Sequence, residues 1–204
     1  TLTRFNENII SRVPQFRMIS LRSGRISDFE KIDGLNQFQI LAKQTVPEEG
    51  AFIFFNEDHT IYAFVIGDRF VGGMTTGYVR AFMKELSFDF IRNQDYTEKE
   101  WIPIQMGDSC SLLGIKYRLN RLYVVALLDL NSYVERYGGT DSEIRYVIYT
   151  EDRLLVKDKV NSAWEMAIRD SSEKAAILPS TIFNGEVFQS VAIPTMGIQV
   201  GGII

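Results

Sequence analysis

Residues 109–134, SCSLLGIKYRLNRLYVVALLDLNSYV, run as an apolar strand, a polar turn, a second apolar strand and the start of a helix. The turn places Arg118, Asn120 and Arg121 between two runs rich in Val, Leu, Ile and Tyr, which is how a β-hairpin is punctuated. Its second strand carries one acid, Asp129, to the end of a sheet. A weaker version closes the chain: EVFQSVAIPTMGIQVGGII, residues 186–204, again sets two apolar strands around a short turn of Pro, Thr and Gly. Two hairpins of one design imply two related modules.

Working outward, the first 45 residues read as helix. Leu2, Phe5, Ile9, Ile10, Val13 and Phe16 fall at spacings of three and four, and Pro14 interrupts them because it lacks a donor and crowds the preceding turn. Ser27 and Glu30 form a capping-box pattern, which predicts a second helix from Asp28 to about Lys43 with Phe29, Ile32, Leu35, Phe38 and Leu41 turned to a sheet. AFIFFNEDHTIYAFVI, residues 51–66, predicts a hairpin with Asn56, Glu57, Asp58 and His59 at its tip. A Gly-rich stretch, 67–77, leads to helical spacing over Tyr78–Phe90, with Phe82, Leu86 and Phe90 as the stripe, and a polar connection, Arg92–Glu100, leads to Trp101. A short helix over about 131–137 follows the central hairpin, and Gly138 with Gly139 marks a boundary. The pattern then restarts: a hairpin over Ile144–Val156 with Glu151 and Asp152 at its tip, a short helix over Ser162–Arg169 around Trp164, and the closing hairpin.

Composition excludes several function classes. The 204 residues are 46% hydrophobic, enough for at least one core, and 22 basic against 26 acidic residues give a net charge of -4 with no basic stripe, so nucleic acid is not an expected partner. One cysteine excludes an internal disulfide, and one histidine leaves no nitrogen and sulfur set for zinc. No G-x-x-x-x-G-K-[ST] loop is present. Cys110 reads as a buried thiol, His59 as a solvated turn residue, and the acid pairs 57–58 and 151–152 as hairpin tips. No catalytic residue, metal site or cofactor is therefore expected. The longest apolar run, Leu122–Leu128, is far short of the roughly 20 residues that a membrane-spanning helix needs. The chain begins with Thr and stops on Gly-Gly-Ile-Ile, so it reads as a piece of a longer protein with flanking membrane helices outside it.

Binding chemistry is better represented. Tyr78, Arg80, Phe82, Trp101, Tyr117 and Asp129 are the residue types that a pocket for a small zwitterion or carboxylate uses: a guanidinium forks to a carboxylate, an acid meets an ammonium, and aromatic walls exclude water. The competing reading puts the aromatics in the core and Arg80 in solvent.

Three stretches carry a family resemblance. LLGIKYRLNRLYVVALLDLNSYV resembles the closing hairpin of extracytoplasmic Cache sensor modules, AFIFFNEDHTIYAFVI resembles their opening strands, and EVFQSVAIPTMGIQVGGII is similar to the last hairpin of a membrane-proximal module. The resemblance to double Cache receptors implies an α+β fold, a long N-terminal helix packed on two PAS-like modules with antiparallel sheets. It divides the chain into stalk helices over 1–45, a membrane-distal module over 46–137 and a membrane-proximal, Cache-like module over 138–204. It further implies the ligand-sensing part of a bacterial transmembrane receptor, a sensor histidine kinase or a membrane-tethered transcription regulator. Such a part would lie on the extracytoplasmic side of the cell membrane and bind a small molecule, an amino acid or a carboxylate, with the N-terminal helix as a homodimer surface. Asp129 matches the acid of the family's amino-acid-binding subset, whereas that subset's R-x-W spacing is absent, so Arg80 and Trp101 are matched by residue type only. The alternatives are a soluble intracellular PAS- or GAF-like regulatory domain and an uncharacterised enzyme.

Overall fold

The computed structural model describes residues 7–12, 14–16, 28–56, 61–72, 81–82, 100–106, 110–119, 122–138, 143–151, 153–157, 160–173, 181–183 and 185–204. Residues 7–12 and 14–16 are helical on the two sides of Val13, and helix α1 spans Asp28–Lys43, the range expected from its capping box. Strands β1 (Gly50–Asn56), β2 (Ile61–Ile66), β3 (Ile102–Met106), β4 (Cys110–Leu119) and β5 (Leu122–Asp129) form one antiparallel sheet in the order β2-β1-β5-β4-β3. Helix α2 (Leu130–Gly138) follows directly on β5. Strands β6 (Arg145–Tyr149), β7 (Leu154–Lys157), β8 (Thr181–Phe183), β9 (Glu186–Ile193) and β10 (Ile198–Ile203) form a second sheet in the order β7-β6-β10-β9-β8, with helix α3 (Ser162–Glu173) between β7 and β8.

Taken in chain order, both sheets follow the same arrangement, 2-1-5-4-3, and both carry a register shift in their first hairpin, at Phe54/Phe55 and at Ile148/Tyr149. This is an α+β fold with two similar antiparallel sheets, in keeping with the two related modules that the paired hairpins imply. The structure adds β3 and β8, which the sequence patterns do not reveal. Both are edge strands, so each needs a single partner. Pro103 sits in β3, a position that an edge strand tolerates because a missing N–H there breaks no central ladder.

Alternation along β1 explains why AFIFF is apolar throughout. Phe52 and Phe54 point to one face, Ala51, Ile53 and Phe55 to the other, and all five are buried, so both faces of the first sheet are covered. The first face meets the helices. Phe16 lies 5.7 Å from Phe52 and 5.4 Å from Phe54 between ring centroids, and Phe38 of α1 stacks on Phe16 and lies 4.8 Å from Phe54. Ala42 packs in the same cluster, whereas the side chains of Phe29, Ile32 and Leu35 fall outside the described residues. The cluster continues without a break into Ile148, Leu155, Val156, Met196 and Ile198 of the second half, so the two sheets share one core.

Polar ties reinforce this join. The Ser111 hydroxyl lies 2.5 Å from the carbonyl oxygen of Leu155, and the Arg153 guanidinium donates to the carbonyl of Pro103 at 2.8 Å. The other face of the second sheet packs Val147, Tyr149, Phe188 and Ile203 against Trp164 and Ile168 of α3. Gly201 allows that packing, because a Cβ there would sit 2.3 Å from the Phe188 ring.

Candidate functional site

The second face of the first sheet is the one the helices leave open, and residues after β2 cover it. Ala51, Ile53, Phe55, Leu112, Val125 and Leu127 form its floor, and Phe70 and Phe82 pack on them edge to face, 5.8 Å apart between centroids. Cross-strand register orders that floor into rows. Gly114, Leu127, Ala51 and Ile66 make one row, and Lys116, Val125, Ile53 and Phe64 the next. The first row holds two small residues, Gly114 and Ala51, one on each side of Leu127.

Lys116 is 8% exposed, yet it lies on this apolar face. Alternation puts it there: Ile115 and Tyr117 belong to the helix-side cluster, so the residue between them points the other way. Arg118, two residues on, shares the face and sets its guanidinium 5.8 Å from the centroid of the Tyr123 ring. Lys116 therefore brings a cationic side chain to a face whose other members are mainly apolar. Sequence reading passed over this lysine. The available signal was its position between Ile115 and Tyr117 in a strand whose two faces are both covered.

The six candidate residues divide between the faces. Tyr78 and Arg80 lie outside the described residues. Phe82 is buried on the second face. Trp101 and Tyr117 belong to the helix-side core, on the opposite side of the sheet, where burial pushes the Tyr117 phenol above its ordinary pKa. Asp129 is on the second face by alternation, at the end of β5, and is 3% exposed.

The Asp129 carboxylate has a full set of donors. Its Oδ1 accepts the backbone N–H groups of Asn131 at 3.0 Å and Ser132 at 3.2 Å, which caps α2. Its Oδ2 accepts the Ser132 hydroxyl and the backbone N–H of Val71, each at 2.8 Å. A carboxylate offers about four acceptor positions, and four donors occupy them. Val71 is unusual in its own right. Its φ of 47° and ψ of 51° are left-handed, a region that β-branched residues avoid at a cost of about 1–3 kcal/mol. A hydrogen bond to a charged group contributes about 1.5–3 kcal/mol, so the bond to Asp129 offsets the strain.

At the far end of α2, Arg136 donates to Glu49 Oε1 at 2.7 Å and lies 3.2 Å from Glu48. Glu49 is 0% exposed, and its Oε2 has no hydrogen-bond partner among the described residues. Its carbonyl accepts the N–H of Asp129 at 2.8 Å. The loop that holds it is pressed against the residues after β2: Gly67 N–H donates to Gly50, Arg69 N–H donates to Glu48, and a Cβ on Gly67 would lie 2.3 Å from the carbonyl oxygens of Pro47 and Glu48. Among the described residues no group of three or more His, Cys, Asp or Glu is placed to hold a metal ion, and no helix is long and apolar enough to cross a membrane.

No protein-family model matches the sequence. No curated protein matches it either. Solved structures do. The chain is similar to an extracellular ligand binding receptor from Desulfohalobium retbaense, at 10% identity and a TM-score of 0.46, over 99% of this chain and 39% of the receptor. It is similar to a domain of a sensory box/GGDEF family protein from Vibrio parahaemolyticus, at 11% identity and a TM-score of 0.44, over 100% of this chain and 92% of that domain. It is also similar to the sensor domain of the V. cholerae histidine kinase DctB, at 11% identity and a TM-score of 0.41, over 99% of this chain and 93% of that domain.

Proposed function

We propose that this chain is the extracytoplasmic sensing domain of a bacterial transmembrane receptor and that it takes a small metabolite bearing a carboxylate, an organic acid or an amino acid, on the second face of the first sheet. The supporting observation is Lys116, a cation on the covered face of the first sheet, whose floor includes the small residues Gly114 and Ala51 on the two sides of Leu127. Lys116 is the anchor for the anionic group. Phe82, buried on this face, supplies part of its wall, and Tyr78 and Arg80 are assigned to the same site by residue type. Trp101 and Tyr117 support the fold from the helix side. Asp129 holds the end of the site in place by capping α2.

In this reading residues 1–45 are the stalk, 46–137 the membrane-distal module and 138–204 the membrane-proximal one, and membrane helices outside this segment lead to a histidine kinase or a transcription regulator. Ligand binding signals by favouring one of two packings of the distal module, which requires unequal affinity for the two. The N-terminal helix is the proposed homodimer surface.

Thermal melting of the 204-residue chain against a panel of carboxylates, amino acids and the corresponding amides, which lack the carboxylate, tests the proposal. A true ligand at one hundred times its Kd stabilises by about 2.7 kcal/mol, roughly 5–10 °C for a chain of this size. The acids are expected to raise the melting temperature and the amides are not. Equal response to both, or indifference to the whole panel, overturns the reading.

A further inference from the structure

We infer that Val71 and Asp129 form a joint coupling the second face of the first sheet to helix α2, and through α2 to strands β6 and β7 of the second sheet. Each step rests on a contact. Phe70 and Val71 pack in the cluster on the second face, directly after β2. The N–H of Val71 donates to the same carboxylate that caps α2, across 58 positions of sequence. Helix α2 in turn lies against the turn at Phe70–Gly72, against β4 and β5, and against β6 and β7.

Val71 supplies the bias. A valine reaches the left-handed region only under strain, and the bond to Asp129 is what repays it. When Val71 relaxes to negative φ, its N–H swings off Asp129 and the carboxylate loses a donor. The cap of α2 then rests on the two contacts to Oδ1 and on the Ser132 hydroxyl. One backbone rotation on the covered face thereby loosens the helix on which the second sheet packs. This coupling belongs to the fold and does not require the metabolite, so it can fail while the binding proposal stands, and the reverse.

Backbone hydrogen exchange on the whole chain, without ligand, tests it. Val71→Gly and Val71→Asn substitute residues that accept the left-handed region readily. Both are expected to slow exchange several-fold over 131–138 and over the strands within 145–157, relative to Val71→Thr, which keeps the branched Cβ. Asp129→Asn keeps a capping side chain but loses an acceptor. It is expected to speed exchange at the Val71 amide and over the same two segments, leaving Ser162–Glu173 unchanged. Slowing confined to 70–72 in the Gly and Asn variants, no slowing at all, or a uniform acceleration that includes α3 overturns the coupling.

Discussion

Arg136 and Glu49 form an ion pair in which one partner is wholly enclosed: the guanidinium donates to Glu49 Oε1 at 2.7 Å, and the carboxylate has 0% exposure. Glu48 sits beside them with half of its side chain in water. The two acids therefore share a cation unequally. A buried carboxylate stripped of its partner destabilises far more than an exposed one. Arg136→Met is expected to lower the melting temperature by several times the change from Glu48→Gln. Equal effects in thermal denaturation would mean that the enclosed contact contributes no more than a surface pair.

The aromatic cluster that attaches the helices to the first sheet predicts a large local cost. Phe38 is buried between Phe16 and Phe54, so Phe38→Ala opens a cavity and is expected to destabilise by about 3–5 kcal/mol in urea unfolding. Ile40, two residues on and 58% exposed, is the control. Ile40→Ala is expected within about 0.5 kcal/mol of wild type. A Phe38→Ala loss below about 1 kcal/mol would show that α1 is not held by this contact.

A pH dependence follows from Glu186. Hydrogen bonds from Arg145 and from the Trp164 indole hold its carboxyl below the ordinary carboxylate range. Because its pKa is lower in the folded than in the unfolded chain, its contribution is complete above the unfolded value and fades as pH falls through the folded one. The urea midpoint of wild type is expected to exceed that of Glu186→Gln at pH 7, and the gap should close below the ordinary glutamate range. A gap that is constant with pH would assign the difference to packing.

Lys116 separates binding from folding. Lys116→Met keeps the length and apolar stem of the side chain while removing its charge, so the chain is expected to remain folded by far-UV circular dichroism. The rise in melting temperature produced by an acidic ligand should disappear. Retention of the full shift in a folded Lys116→Met variant would remove the lysine from the site.

Much of the architecture was legible because it is local. The hairpins at 51–66 and 110–129 announce themselves by apolar runs around polar tips, and α1 by its cap and spacing, so their pairing needed no long-range knowledge. Edge strands β3 and β8 were not legible. Pro103 disguises the first, and three residues are too few to carry a period in the second. The site was less readable still. The sequence marked Trp101 and Tyr117 as aromatic walls, but alternation counted from the paired strands sends Tyr117 to the helix side and Lys116 to the other.

The sequence by itself determined which segments become strands and helices and that the strands come in two similar sets, because side-chain period and turn chemistry act over a few residues. Tertiary structure alone decided which face each side chain serves and how Asp129 is used. Those outcomes depend on register between distant strands and on donors such as the Val71 N–H, which only the folded chain brings within 2.8 Å of the carboxylate.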